Sequence, residues 1–365
     1  MNGRVLEQLQ WGFQELLTGA GELENQLSRP RGVPGEITVW APGSVEDLDG
    51  HCHNAESSRI LEISRGLSPT SSTTAVMFAG PLSVFTLNLN IDRPDPSGDR
   101  LVRDEIQRLQ PDLVSFQEAL WHEEAADQAR RILEGLSYEV VHQFDLQEPD
   151  RPYGTAIASR FPIVRSDLVK LPSTSRGREF PRAIQAAEIQ VPDPVGRVLL
   201  VNPKPHFEPH MELEREMQAV AVADYVDRNA DPEGFPPLIA GDLDATPDAS
   251  SIRFLTGLKS LQGRSTCFVD TWIASGNTEP GYTWSSDNDF TRGLADRLFG
   301  GSEVRRRIDY VLMGSPLLYK GFARVQESEI VLDQPRGGVW ASGHFGLFVT
   351  LGVTPETRPR ERAGS

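Results

Sequence analysis

From Pro81 onward, short apolar runs alternate with amphipathic stretches, each bounded by Pro, Gly, Asn or Asp. A period-2 run reads as a strand and a period-3.6 stretch as a helix. Leu82 to Leu89 is an alternating strand. Asp99 to Leu109 is a helix with Leu101, Val102, Ile106 and Leu109 turned inward, and Pro111 ends it. Leu113 to Phe116 is a short buried strand that runs into Gln117-Glu118. A helix over Glu123 to Leu136 and strands at Tyr138 to Gln143 and Thr155 to Ser159 follow. Ile184 to Val191 and Val198 to Asn202 flank the turn-forming Pro192-Asp193-Pro194-Val195-Gly196 as a hairpin. A helix over Met211 to Asp227, a strand over Leu238 to Ala240, a helix over Ser250 to Leu258 and strands at Ile308 to Met313 and Phe345 to Leu351 complete the pattern. Helical segments mixed with hairpins predict an α+β chain: a four-layer sandwich of two packed mixed β-sheets flanked by helices.

The ends of the chain read differently. Val5, Leu6, Leu9, Phe13, Leu16 and Leu17 recur at helical spacing, so residues 4–28 read as an amphipathic helix closed by Pro30 and Pro34. Residues 29–80 are rich in Pro, Gly, Ser and Thr and show little periodicity. The last residues are rich in Pro, Arg and Glu and read as a disordered tail. The expected organisation is an N-terminal helical extension over 1–80, one domain over 81–352 and a tail over 353–365, with no internal repeat.

Composition removes several classes of function. No apolar run reaches the length of a membrane span, because Gly80 and Pro81 break the best candidate, Thr74 to Ile91. The N-terminus has no basic stretch followed by an apolar one, and the only cysteines are Cys52 and Cys267. A secretory signal and a disulfide framework are therefore not expected, and a cytoplasmic location is. His51-Cys52-His53 lacks a second ligand pair at zinc spacing. The net charge is −16, a poor match for nucleic acid unless a local basic patch or a bound cation inverts the field.

The informative polar residues sit at strand ends, where sites collect. Asn88, Glu118, Asp242, Asp309 and His344 each follow or interrupt an apolar run. Gln117-Glu118, Gly241-Asp242-Leu243-Asp244-Ala245-Thr246-Pro247, Arg307-Ile308-Asp309-Tyr310-Val311 and Ser342-Gly343-His344-Phe345-Gly346 occur in one order at domain-scale spacing. With Thr86-Leu87-Asn88, the stretch Gly154 to Ile163 and Gly281-Tyr282-Thr283-Trp284, this set resembles the endonuclease/exonuclease/phosphatase superfamily, whose fold is that of pancreatic deoxyribonuclease. The resemblance covers about 81–352.

The resemblance implies a phosphoesterase dependent on Mg²⁺ or Mn²⁺, hydrolysing a P–O bond by in-line attack of water. It makes Glu118 a metal ligand with Asn88 assisting. Asp242 then positions or deprotonates the water, His344 contacts the scissile phosphate and Asp309 supports His344. The chemistry agrees: a hard cation takes oxygen ligands, and phosphoryl transfer needs charge neutralised.

Three positions depart from the pattern. Asp244 stands where the family usually has Asn; an ionised Asp only accepts hydrogen bonds and repels phosphate unless it holds cation. Gly343 stands where an Asp is usual. The strand Leu199-Leu200-Val201-Asn202 leads to Pro203-Lys204-Pro205-His206 where a His is expected. Either His206 serves from a shifted position, with His210 behind it, or Lys204 contacts phosphate, or the function is lost. Arg215 is a candidate partner for a site carboxylate. Arg307, in Arg305-Arg306-Arg307, is a candidate phosphate contact, and the first two arginines read as a basic loop. These departures keep a second reading open, a catalytically impaired member that binds a phosphorylated ligand or a protein. Within the enzyme reading the acidic charge argues against a non-specific nuclease.

Overall fold

The computed structural model describes residues 77–89, 95–121, 127–143, 153–177, 182–301 and 303–357. The helix read over 4–28, the segment 29–76, the His51-Cys52-His53 triplet and the tail from 358 lie outside the described residues.

Two six-stranded mixed sheets pack face to face with helices outside. In chain order the first half runs β1 (Leu82–Asn88), α1 (Pro96–Leu109), β2 (Leu113–Leu120), α2 (Gln128–Leu133), β3 (Glu139–His142), β4 (Tyr153–Ser159), β5 (Ile163–Lys170), β6 (Ala183–Gln190), β7 (Arg197–Lys204) and α3 (Glu212–Asn229). The second half runs β8 (Leu238–Asp242), α4 (Ser250–Leu255), β9 (Phe268–Asp270), α5 (Thr271–Ala274), β10 (Trp284–Ser285), α6 (Arg292–Phe299), β11 (Arg305–Arg306), β12 (Asp309–Gly314), β13 (Arg324–Val331) and β14 (Gly346–Gly352). One sheet has the order β13-β14-β1-β2-β4-β3 and the other β5-β6-β7-β8-β12-β9; β10 and β11 form a separate ribbon.

Side-chain alternation builds the layers, since successive residues of a strand face opposite ways. Leu82 and Val84 of β1 join Leu113, Ile157, Leu200, Leu238, Val311 and Val349 between the sheets. Phe85 and Leu87 point the other way, into a layer with Val102 and Ile106 of α1 and Ile132 of α2. On the far side, Val201 and Ile239 meet Val222, Ala223 and Val226 of α3 and Ile252 of α4.

Two parallel pairs set the positions of the site. β1 and β2 run parallel through α1, placing Asn88 beside Gln117. β7 and β8 run parallel through α3. β12 lies antiparallel to β8 with Asp309 opposite Asp242. β14 lies antiparallel to β1, so the loop before it arrives where β1 ends. Asn88, Lys204, Asp242, Asp309 and His344 thus share one end of the sandwich.

Several elements differ from their sequence expectation. β2 continues through Gln117-Glu118 instead of stopping at Phe116, because a register shift between Phe116 and Ala119 absorbs a bulge. β7 continues through Pro203 to Lys204, with Ala183 opposite Lys204. α1 begins at Pro96, earlier than Asp99, because the Asp95 side chain accepts from the Ser97 N–H as an N-cap. α4 is shorter than expected and ends at Leu255. β5 and β13 are half-exposed outer strands whose mixed polar sequence hid them.

Candidate active site

A polar seam crosses from sheet to sheet at the end that carries these residues. Gln117 Nε2 donates to Asn202 Oδ1 at 2.9 Å, and Asn202 Nδ2 donates to the Phe116 carbonyl at 2.9 Å. Ser115 Oγ donates to the Ala240 carbonyl at 2.7 Å. Gly241 packs closely here: a Cβ would lie 3.0 Å from the Pro203 carbonyl oxygen and 3.2 Å from Asn202 Oδ1, so its neighbours would have to give way. The seam fixes β7 and β8 of one sheet against β2 of the other, and the functional side chains rise from its rim.

Asp242 is fully buried and its carboxylate accepts three hydrogen bonds. Oδ2 accepts from Asn88 Nδ2 at 2.8 Å and Lys204 Nζ at 2.6 Å; Oδ1 accepts from the Asp244 N–H at 3.0 Å. Burial pushes this carboxyl up, but Lys204, His344 and the hydrogen bonds from Lys204 and Asn88 outweigh it and hold it well below the usual carboxylate range. Asp244 sits on left-handed backbone at φ 52°, which turns its carboxylate back beside Asp242. Burial and the like charge of Asp242 push Asp244 up to about 6, against the pull of Lys204.

His344 Nδ1 lies 3.0 Å from Asp309 Oδ2. With Nδ1–H donating to that carboxylate, Nε2 is the nitrogen left for a ligand. Burial lowers the imidazole pKa, but Asp309, Asp242 and Glu118 together raise it to about 9. The Thr283 hydroxyl accepts from the Ile308 and Asp309 N–H groups at 3.1 Å each, which holds the start of β12 in place. The Ser342 hydroxyl donates to the Asn88 carbonyl at 2.6 Å, and Asn288 Nδ2 donates to the Ser342 carbonyl at 2.7 Å. These bonds tie the histidine loop to the end of β1.

Glu118 also stands on left-handed backbone, at φ 52°, within the β2 bulge. Such strain collects at functional sites. Burial pushes its carboxyl up, and Lys204 and His344 outweigh this to bring it below its ordinary value. The ligand atoms of Asp242, Asp309 and His344 all lie within 4.8 Å of one another, and Asp309 Oδ1 is buried without a hydrogen-bond partner. The donor set is oxygen-rich and hard, as Mg²⁺ or Mn²⁺ requires. The carboxylates of Glu118, Asp242, Asp244 and Asp309 gather here around Lys204 and His344, a setting that favours a bound cation.

The structure therefore brings Asn88, Glu118, Lys204, Asp242, Asp244, Asp309 and His344 together. It does not bring His206. That ring is fully buried in the loop after β7, with Nε2 3.0 Å from Ser173 Oγ and Nδ1 3.3 Å from Glu208 Oε2. The turn Ser175–Gly177 packs directly on it, since a Cβ at Gly177 would lie 2.4 Å from Nε2. The ring is thus bound into the loop, and Lys204 holds the strand-end position that His206 was expected to serve. Arg215 is likewise structural, donating to the carbonyls of His206 and Glu208 at 3.0 and 2.8 Å.

Arg307 is buried, pairs with Asp270 at 2.7 Å and lies 5.0 Å from the Tyr310 ring centroid, so it serves the core and not phosphate. Arg306, read as basic loop, is the one that reaches the site: Nη2 donates to the Asp244 carbonyl at 3.1 Å and the guanidinium lies over Phe299. β11 places it, because strand alternation sends neighbouring arginines to opposite faces. Arg305 pairs with Asp287 at the surface. Lys204, expected to contact phosphate, is instead directed at carboxylates: Asp244 at 2.5 Å, Asp242 at 2.6 Å and Glu118 at 3.3 Å.

The model of the Endonuclease/Exonuclease/phosphatase family matches residues 85–342, a span that contains every one of these groups except His344. The chain belongs to the endonuclease/exonuclease/phosphatase family. Members of this family are usually metal-dependent hydrolases of phosphoesters. Solved structures repeat its fold. TDP2 of D. rerio, complexed with a single-strand DNA product, is 17% identical with a TM-score of 0.58, over 74% of this chain and 99% of that one. The mannosyl-6-phosphatase of Bacteroides thetaiotaomicron is 18% identical with a TM-score of 0.56, over 74% and 99%. The catalytic domain of human Nocturnin with bound sulfate is 17% identical with a TM-score of 0.53, over 76% and 97%. No curated protein sequence matches the chain. Among the described residues no helix is long and apolar enough to cross a membrane.

Proposed function

We propose that the chain is a divalent-cation-dependent phosphoesterase that hydrolyses a P–O bond by in-line attack of water. The observation that carries this reading is the convergence of Asp242, Asp309 and His344, with Glu118 and Asn88 beside them, at one end of the sandwich. Glu118 and Asn88, with Asp242 or Asp309, would hold Mg²⁺ or Mn²⁺, which supplies Lewis-acid stabilisation of charge on phosphoryl oxygens.

The side chains do the rest. Asp242 stays ionised, so it acts by accepting a hydrogen bond from the attacking water and orienting it, rather than by keeping a proton. The His344 imidazolium donates to a phosphoryl oxygen, and Asp309 holds the ring and its charge. Asn88 Nδ2 keeps the Asp242 carboxylate in position. Arg306 stands beside Asp244, within reach of the cluster for a further phosphate oxygen. Asp242→Asn or His344→Ala, assayed on bis(p-nitrophenyl) phosphate with Mn²⁺, is expected to lose about 10² to 10⁴ in rate with an unchanged fold. Wild-type hydrolysis that survives excess EDTA contradicts the reading.

The neighbours' substrates differ, from a DNA product to a mannosyl-6-phosphate, so they do not choose among phosphodiesters and phosphomonoesters. The net charge of −16 favours a small phosphoester over a polymer. The scarcity of cysteine supports a reducing, cytoplasmic setting. A panel of single- and double-stranded DNA, RNA, bis(p-nitrophenyl) phosphate and a phosphomonoester identifies the class.

One observation favours the second reading, a binding module without turnover: the Lys204 ammonium stands among the carboxylates. Calorimetric titration separates the two. A protein that binds no Mg²⁺ or Mn²⁺ at millimolar concentration, and turns over no member of the panel, is the binding module.

A further inference from the structure

Lys204 is placed by a strand and not by a loop. It closes β7, where it pairs with Ala183 of β6. Its ammonium has three hydrogens and meets three carboxylates, Asp244 at 2.5 Å, Asp242 at 2.6 Å and Glu118 at 3.3 Å. The Lys204 side chain is 9% exposed, so the carboxylates rather than bulk water take most of those hydrogens. The partner carboxylates are equally fixed. Asp244 is turned toward Asp242 by left-handed backbone and bound to it through its own N–H. Glu118 is aimed by the β2 bulge. Lysine is a compact point charge, the closest that a side chain comes to a monatomic cation.

The other half of the cluster is different. Asp309 Oδ1 is buried and accepts no hydrogen bond, while Oδ2 accepts from His344. The ammonium satisfies the Asp242–Asp244 side, and the unsatisfied oxygen lies on the Asp309–His344 side. Two-cation phosphoesterase sites hold their ions about 3.5–4 Å apart between shared carboxylates. Here one of those two places is filled from within the chain.

We propose that Lys204 is a built-in cation that fills the Asp242–Asp244 half of the cluster, so that the site takes one divalent ion and not two. Asp244 is its matched partner: it supplies the carboxylate that seats the ammonium, and the ammonium offsets its repulsion by Asp242. The inference rests on the metal-dependent reading above, and the readout is metal binding without substrate.

The full chain, stripped of metal, is titrated with Mn²⁺ by calorimetry and followed by electron paramagnetic resonance, counting sites tighter than about 1 mM. Wild type is expected to bind one Mn²⁺, whose spectrum shows no exchange coupling to a second ion. Lys204→Met is expected to bind its first Mn²⁺ at least about tenfold tighter, because a unit charge within contact distance of the ligands is gone, and to take up a second. Two coupled ions in wild type overturn the inference and leave the phosphoesterase reading standing. So does a folded Lys204→Met with wild-type stoichiometry and affinity. Should Lys204→Met not fold by circular dichroism, Lys204→Gln repeats the comparison. No binding by wild type overturns the inference, because the wild-type site is then not a one-ion site. No binding by either overturns both.

Discussion

At the scale of single residues, charge held in contact shapes the site. The His344 imidazole, raised to about 9 by Asp309, Asp242 and Glu118 against its burial, carries its proton throughout the neutral range. A raised pKa means that the stabilisation from the charged ring is fully present below about pH 6.5 and is lost as pH rises through about 9. In the metal-free protein, an NMR titration of His344 is expected to report that value, and Asp309→Asn to bring it back toward 6.5. A wild-type titration near 6.5 contradicts the ion pair. The two neighbouring arginines make a second test. Arg307→Ala strands the buried Asp270 and is expected to cost about 3–5 kcal/mol of stability by denaturant unfolding. Arg306→Ala is expected to leave the unfolding midpoint nearly unchanged and to lower kcat/KM for a phosphoester. The reverse pattern restores Arg307 to the role that its place beside Asp309 suggested. The sequence could not separate the two, because a run of three arginines carries no sign of which face each one takes until β11 is paired to β10.

Elements show where reading by pattern succeeds. β1, β8, β12 and β14 are buried along their full length, and their apolar runs were plain. β5 and β13 were not, because half of each faces solvent and carries Arg, Asp, Glu and Ser at positions that a loop also favours. Pro203 interrupts the apolar run of β7, so the sequence ends the strand at Asn202 and leaves His206 and Lys204 as alternatives for the position after it. Pro203 lies beyond Leu200 and Val201, the β7 residues that pair with β8, so no β8 partner is lost with its missing N–H. Helix packing gives a further test. A Cβ at Gly98 of α1 would lie 2.6 Å from the Ala341 carbonyl oxygen, one residue before the Ser342 that holds Asn88. Gly98→Ala is expected to cost about 1–3 kcal/mol by calorimetry. Gly293→Ala, near the start of α6 with nothing within 4 Å of the added carbon, is expected to be neutral or stabilising by up to about 1 kcal/mol. Equal melting temperatures for the two variants contradict the close contact at α1.

Across the whole molecule the acidic chain and the acidic site act together. The net charge is −16 and the cluster itself is short of positive charge, so an anionic substrate approaches against a repulsive field. Raising salt from about 10 to 150 mM at saturating cation is expected to increase kcat/KM for an anionic substrate by about two- to tenfold, the opposite of a basic nuclease. A steep fall with salt contradicts this. The sandwich was legible in its apolar runs, and its glutamate, aspartates and histidine in the ordered set of motifs that resembles the family, not in any one of them alone. The joining contacts were not: Lys204 with three carboxylates, Ser342 with Asn88 and the seam through Asn202 link residues far apart in the chain. The most direct measurement is hydrolysis of bis(p-nitrophenyl) phosphate by the purified full chain with Mn²⁺, with excess EDTA, and by Asp242→Asn. Turnover that needs the cation and falls by about 10² or more in the variant is the expected result; equal turnover in all three contradicts the site.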